Sequence, residues 1–219
     1  MHDEPQTAVG NTKDGDSEIA GVEPEAPITK PLRPDHDVSG FVLPSVAKKT
    51  NVKDFLVEQA SILDKAQYCR VFVWENPDNP KQIWGFYSLS ASALAVAAMK
   101  PGHKHKAWEE KKQIPMALLG YMGRHNDDRL KSVGPGLIHD AAKRVAKANK
   151  ELACWGIWLT AHNEKLVEWY QKQNFDRAVP VGKGQTVTFL MYAPLASLLK
   201  PGQAATLFVT SETKTVPGT

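Results

Sequence analysis

The chain has 219 residues, 42% of them hydrophobic, enough to bury one core of about 160 residues with tails on either side. It holds no apolar run long enough to span a membrane, and its acidic start does not resemble a signal peptide, so a cytoplasmic location is expected. Net charge is +3 but uneven: residues 1–40 carry nine acidic residues against Lys13, Lys30 and Arg33, which makes that stretch −6 and the remainder +9. A basic body suits a polyanionic ligand such as nucleic acid, and the acidic stretch suits solubility or a cover for the basic face.

Residues 1–40 are rich in Pro, Gly, Asp, Glu and Thr and poor in large apolar side chains, so a disordered or loosely ordered arm is expected there. Asn51 stands as the cap of a helix carried by Phe55, Leu56, Ile62 and Leu63. Arg70 to Glu75 and Gln82 to Leu89 read as a hairpin around the turn Asn76 to Pro80. Cys69 and Cys154 lie in apolar runs without a C-x-x-C, which argues for buried thiols and against a disulfide framework or zinc site.

Small apolar residues, Ala91 to Met99, lead into a basic loop, Pro101-Gly102-His103-Lys104-His105-Lys106, with Lys111 and Lys112 nearby. The neighbouring lysines would repel a cation, so the histidines predict no metal. The loop reads as flexible, with nucleic-acid contact as its functional option. Met116 to Gly123 is the next strand, expected to be central.

Gly134-Pro135-Gly136 then reads as a turn before a helix carried by Leu137, Ile138, Ala141, Ala142 and Val145. A helix N-terminus offers unpaired N–H groups and the positive end of its dipole, so it can hold a pyrophosphate where no side chain blocks the approach. Leu152 to Thr160, mostly apolar and rich in tryptophan, reads as a buried strand. Asn163 caps a second helix carrying Leu166, Val167 and Tyr170, and Asn174 closes it. Val187 to Tyr192 is a last alternating strand, and residues 200–219 are a tail whose Leu207-Phe208-Val209 can add an edge strand.

Turn, helix, strand and helix in this order, with a tyrosine late in the second helix, resemble the GNAT superfamily of acyl-CoA N-acyltransferases. Within it the resemblance is to the bacterial toxins that acetylate aminoacyl-tRNA. It covers about residues 41–199 and has four anchors. The family's pyrophosphate loop, Gln/Arg-x-x-Gly-x-Gly/Ala, falls on Lys131 to Gly136, and its Phe-Tyr-x-x-x-Gly-Phe segment on Trp169 to Phe175. The toxin-like strand Gly-Tyr-Tyr-x-Leu-Ser falls on Gly85 to Ser90, and Ile-Pro-x-x-x-Leu-Gly-Arg-Leu on Ile114 to Met122.

The resemblance implies an α/β (α+β) GNAT fold, a central mixed, mostly antiparallel, splayed sheet flanked by helices. It implies acetyl-CoA as co-substrate, held by Tyr121, Met122, Gly123, Arg129, Lys131, Ser132, Val133, Gly134, Gly136, Leu137 and Asn163. Tyr170 is the implied acid for the departing thiolate, and a strand N–H between Tyr121 and Gly123 would polarise the carbonyl. Aminoacyl-tRNA, a small ribbon-helix-helix antitoxin and a second copy of the chain are the implied partners. His125, His139 and His162 are the candidates for a base.

Two departures keep alternatives open. Pro135 removes one loop N–H, which favours a binding domain without chemistry. The strand arginine of the toxins has no counterpart, unless Arg124 or Arg129 replaces it, which favours another acceptor amine in DNA, protein or a small molecule.

Overall fold

The computed structural model describes residues 29–44, 51–108, 110–131, 133–179 and 189–200. Its strands are β1 (Lys30–Pro31), β2 (Arg70–Asn76), β3 (Asn79–Ala95), β4 (Gln113–Arg124), β5 (Gly156–Ala161), β6 (Asp176–Arg177) and β7 (Phe189–Pro194). They form one sheet in the order β1-β2-β3-β4-β5-β7-β6. Every neighbouring pair is antiparallel except β4 and β5. A parallel pair needs a crossover, and the crossover here is helix α3 (Val133–Ala148).

α3 covers one face of the sheet because Leu137, Ala141 and Val145 recur every four residues and are all buried. A Cβ built on Gly85 of β3 would lie 2.7 Å from Val133 Cγ1 and 3.0 Å from Leu137 Cδ1, so glycine lets the helix rest directly on the strand. Helices α4 (Glu164–Gln171) and α5 (Leu195–Leu198) share that face's core with Val167, Tyr170, Leu195 and Leu198. The opposite face is covered by α1 (Val52–Asp54), a π-helical turn Phe55–Gln59 and α2 (Ala60–Lys65). Phe55 and Leu56 join Val71, Val73 and Phe86 in a second cluster there. Asn51 makes no side-chain cap bond at the start of α1.

The structure extends two expectations and changes a third. β3 continues through Ala91 to Ala95, paired with Ala117 to Gln113 of β4, beyond Leu89, where the expected hairpin strand ends. The basic stretch after it is three pinned 3-10 turns and no loose loop. Lys100 N–H donates to Tyr192 Oη at 2.8 Å, Lys100 pairs with Asp176, and Trp108 packs edge-on against Trp155 at 5.4 Å. The arm is docked from Thr29 onward, and β1 adds an edge to β2. The expected strand from Val187 is described only from Phe189; residues 1–28, 180–188 and 201–219, the Leu207 run included, lie outside the described residues.

The arm docks because Glu75, buried at the edge of β2, collects three donors from it. Lys30 Nζ and Arg33 Nη1 each lie 2.6 Å from a carboxylate oxygen, and His36 Nε2 lies at 3.1 Å. His36 Nδ1 accepts from the Arg33 N–H at 2.9 Å, which leaves the proton on Nε2 to face Glu75. Burial alone would raise the Glu75 carboxyl, but hydrogen bonds from Lys30, His36 and Arg33 outweigh it and lower it to about 2.

A folded-state value below the unfolded one means stability that is present above about pH 4.5 and is lost as pH falls towards 2. Allowing for the exposure of Lys30 and Arg33, this amounts to about 2 kcal/mol. Urea unfolding at pH 6 and pH 2.5 should therefore show the parent losing about 2 kcal/mol more than Glu75→Gln. Equal losses in the two proteins would dismiss the arm-docking role of Glu75.

Candidate active site

The site is built where β4 and β5 part. Their parallel pairing covers only Ala117↔Ile157 and Leu118↔Trp158. Beyond it β4 runs on to Arg124 and β5 to Ala161 without pairing, which opens a wedge between two strands of one sheet. A cavity of about 590 Å³ fills the wedge, walled by Met122 and Arg124 of β4, Leu159 of β5, Gly134 and Leu137 of α3, and Tyr170 of α4.

The divergence begins at a bulge. Pairing of β3 with β4 steps from Tyr87↔Met122 to Leu89↔Leu119, so β4 carries one residue more than its partner around Gly120 and Tyr121. The Tyr121 N–H that falls out of the ladder is taken by Ser88 Oγ at 2.9 Å. At the far end the His125 N–H donates to the Trp84 carbonyl of β3 at 2.7 Å. Amides alternate along a strand, so those of Tyr121, Gly123 and His125 face β3, and those of Met122 and Arg124 face the wedge. Of Tyr121, Met122 and Gly123, the positions expected to polarise a carbonyl, only Met122 turns its amide to the wedge.

The glycines sit inside α3 and not before it. Helix geometry is already present at Val133, which places Gly134, Pro135 and Gly136 in the first turn. The N–H that Pro135 lacks is one of those with no intrahelical partner, so its loss costs the helix no hydrogen bond. Gly134 lines the cavity, and a Cβ there would sit 3.0 Å from the Trp169 ring. Any larger residue would close the gap between α3 and α4.

Tyr170 is aimed by its helix at both ends. Asn163 caps α4 by accepting from the Leu166 N–H at 2.9 Å. At the other end Asn174 adopts φ 64°, the left-handed stop that the family's motif fills with glycine. The Phe175 N–H returns to the Tyr170 carbonyl at 3.1 Å and the Asn174 N–H to Gln171 at 3.0 Å, the paired bonds of a Schellman stop. Phe175 packs on the Tyr170 ring at 5.7 Å and Trp169 at 4.9 Å. Tyr170 is 9% exposed, and burial raises its pKa, so its hydroxyl is protonated at any physiological pH.

Tyr121, Met122, Gly123, Lys131, Gly134, Leu137, Asn163 and Tyr170 line one cavity. Others do not. Arg129 forks onto Asp127, with Nη2 at 2.6 Å and its side chain 83% exposed, and that hydrogen bonding lowers the Asp127 carboxyl to about 2. Val133 is spent against Gly85, Gly136 is buried away from the cavity, and Ser132 lies outside the described residues. Arg124, offered as a stand-in for the missing strand arginine, does line the cavity, with Nη1 donating to the carbonyls of His125 and Asp127.

Among the three histidines only His162 reaches the cavity. His125 Nδ1 accepts from the Val42 N–H, and His139 Nδ1 lies 3.3 Å from the Leu198 carbonyl. Trp169 was missed as a wall residue, although it stands on the aromatic position before the motif's tyrosine. Among the described residues no three His, Cys, Asp or Glu side chains gather to hold a metal, and no helix is long and apolar enough to cross a membrane.

No protein-family model matches the sequence, and no curated protein does. Solved structures do match. The crystal structure of a tyrosine-to-phenylalanine mutant of KacT has a TM-score of 0.61 at 22% identity, over 75% of this chain and 91% of that one. AtaT complexed with acetyl-methionyl-tRNAfMet has the same TM-score, identity and coverage. AtaTR bound with acetyl-CoA has a TM-score of 0.60 at 21% identity, over 78% of this chain and 94% of that one. The sheet with its bulged β4 and its wedge, together with this agreement over three quarters of the chain, makes the fold that of the GNAT toxins.

Proposed function

We propose that the protein is an acetyl-CoA-dependent N-acetyltransferase that acts on the amino group of aminoacyl-tRNA. The observation that carries the reading is one wedge walled by both a buried, protonated Tyr170 and an α3 N-terminus left open by Gly134. The open helix end, with Lys131 beside it, suits the pyrophosphate of the co-substrate, and the Arg124 N–H suits a carbonyl of its pantetheine arm.

Transfer forms a bond from the amine nitrogen to the carbonyl carbon and breaks the carbon–sulfur bond. The Met122 N–H stabilises charge on the carbonyl oxygen, and the Tyr170 hydroxyl gives its proton to the departing sulfur. The nitrogen sheds a proton to water or to His162. An α-amino group has an unperturbed pKa of about 7.7–8.0, so much of it is already neutral near pH 7.5 and the site needs no strong base.

Placing the acceptor on charged tRNA follows from AtaT, whose complex holds acetyl-methionyl-tRNAfMet, and from the +9 charge outside residues 1–40. AtaT is also seen bound to the C-terminus of the antitoxin AtaR, and a comparable small antitoxin is the partner proposed here. A second copy of the chain and a cytoplasmic location complete the proposal. A catalytically inert domain is the second reading, because Pro135 in the first turn of α3 takes away one of the free N–H groups that would face a pyrophosphate.

Labelled acetyl-CoA, incubated with the protein and separate pools of charged tRNA, DNA and protein, should label charged tRNA alone. Label in a different pool would keep the chemistry and move the acceptor. No label in any pool, with no coenzyme retained on the protein, would overturn the proposal.

A further inference from the structure

The basic stretch between β3 and β4 is a built groove. Its cavity of about 680 Å³ is lined by Lys104, His105, Trp108, Lys111 and Lys112 together with Val96, Ala97 and Pro101. Lys104, Lys111 and Lys112 are exposed and make no ion pair among the described residues. The frame beneath them is fixed. The Val96 N–H donates to the Lys112 carbonyl at 3.1 Å and the Val179 N–H to Ala98 at 2.8 Å, while Trp108 is held against Trp155. Unpaired cations on a fixed frame lose little side-chain order beyond their own, so they concentrate an anionic ligand effectively.

The groove shares a face with the bulge. Ile114 and Met116 of β4 pack into the cluster that holds Trp108 and Trp158, opposite Ala117 and Leu119, which face α3. Tyr121 lies on that same face, stacked on Phe55 at 3.8 Å. From Lys112 to Tyr121 the strand rises roughly 30 Å. Ile114 and Met116 between these two points are 2% exposed, so a ligand that touches both must pass over the surface of that cluster; a free amino acid or polyamine is too short, and a polymer of several nucleotides is long enough.

We infer that the Lys104–Trp108–Lys112 groove binds a single-stranded stretch of the nucleic acid whose end is acetylated in the wedge. The inference rests on the proposed tRNA acceptor and names the surface that would select it. The lysines meet backbone phosphates, and the Trp108 face offers a base a stacking platform, a pairing that tolerates any sequence. A concave site with its indole partly buried fits a strand better than an anionic bilayer, which needs aromatic side chains that project.

The test uses the full chain and a Lys104→Glu/Lys111→Glu/Lys112→Glu variant, with Trp108→Phe and Trp108→Ala beside it. Fluorescence anisotropy with deacylated tRNA is measured from 50 to 200 mM salt, followed by steady-state acetylation. The triple variant should lose at least tenfold in RNA affinity, and its log–log salt slope should shrink by about 2. Its KM for charged tRNA should rise as far while its KM for acetyl-CoA stays unchanged. Trp108→Ala should weaken binding about tenfold, and Trp108→Phe should restore most of it.

Unchanged RNA affinity in the triple variant overturns the inference. So does a variant that loses binding only to phosphatidylglycerol vesicles. If the parent binds RNA through the groove but labels no charged tRNA, the acceptor reading fails and the groove stands. If the parent labels charged tRNA and the triple variant keeps its KM, the groove alone fails.

Discussion

Replacing Tyr170 with phenylalanine should lower kcat about 10²- to 10³-fold and leave the fold and the KM for acetyl-CoA nearly unchanged. The ring's contacts explain the second half: Trp169 and Phe175 meet the aromatic faces and edges, which phenylalanine keeps. The first half follows from losing the buried hydroxyl, the one such group among the described cavity-wall residues, that the proposed mechanism uses to protonate the sulfur. Burial raises the phenol's pKa, so the group does not ionise across the working range. The parent's rate should then show no alkaline fall below about pH 10, and any rise between pH 7 and 8.5 reports the acceptor amine losing its proton. Single-turnover rates on charged tRNA, taken across that range, separate the two groups. A variant that keeps the parental rate would remove Tyr170 from the mechanism.

The sequence discloses this site unevenly, and the reasons are physical. α4 is legible in full because its cap, its apolar stripe and its stop are local: Asn163, Val167 with Tyr170, and Asn174 each act within a few residues. The wedge is not legible residue by residue, since the bulge depends on Ser88 meeting an amide 33 positions away. Glycine and proline at 134–136 read as a turn because they break helices internally, yet in a first turn they cost almost nothing. Arg129 was drawn to the site by its place in the pattern; a carboxylate two residues back, Asp127, holds it at the surface. The low propensity of Ala91 to Ala95 for strands is overridden by ten cross-strand pairs between β3 and β4. The docked arm is the plainest case of a long-range effect. Nothing near Lys30, Arg33 or His36 in the sequence foretells Glu75.

Asp140→Ala should destabilise the protein by about 3–5 kcal/mol, a large share of the 5–15 kcal/mol typical of a domain. Asp140 is 1% exposed on the sheet side of α3, where an apolar residue would continue the stripe. Its carboxylate accepts from Tyr87 Oη at 2.6 Å and Thr29 Oγ1 at 2.5 Å, and Arg144 Nε lies 3.2 Å away. Arg144 also donates to the Thr29 carbonyl at 2.5 Å and lies over the Phe72 ring, 3.9 Å from its centre. Burial, and then the adjacent carboxylate, raises the Tyr87 phenol and keeps it a donor. One carboxylate therefore joins the docked arm, the middle of the sheet and the helix that opens the wedge. Among the described residues, alanine would leave Arg144 without its carboxylate, with only Thr29 to accept from it, and the Tyr87 and Thr29 hydroxyls with only each other at 3.3 Å, which is costlier than the lost bonds themselves. Thermal melts should fall by about 10 °C or more for Asp140→Ala, and by clearly less for Asp140→Asn, which keeps the shape and one acceptor oxygen. Limited proteolysis should cut near Thr29 first, because that is the junction the carboxylate holds. A variant melting within 2 °C of the parent would mean that Asp140 is a passenger in the core and that the arm is held by Glu75 alone.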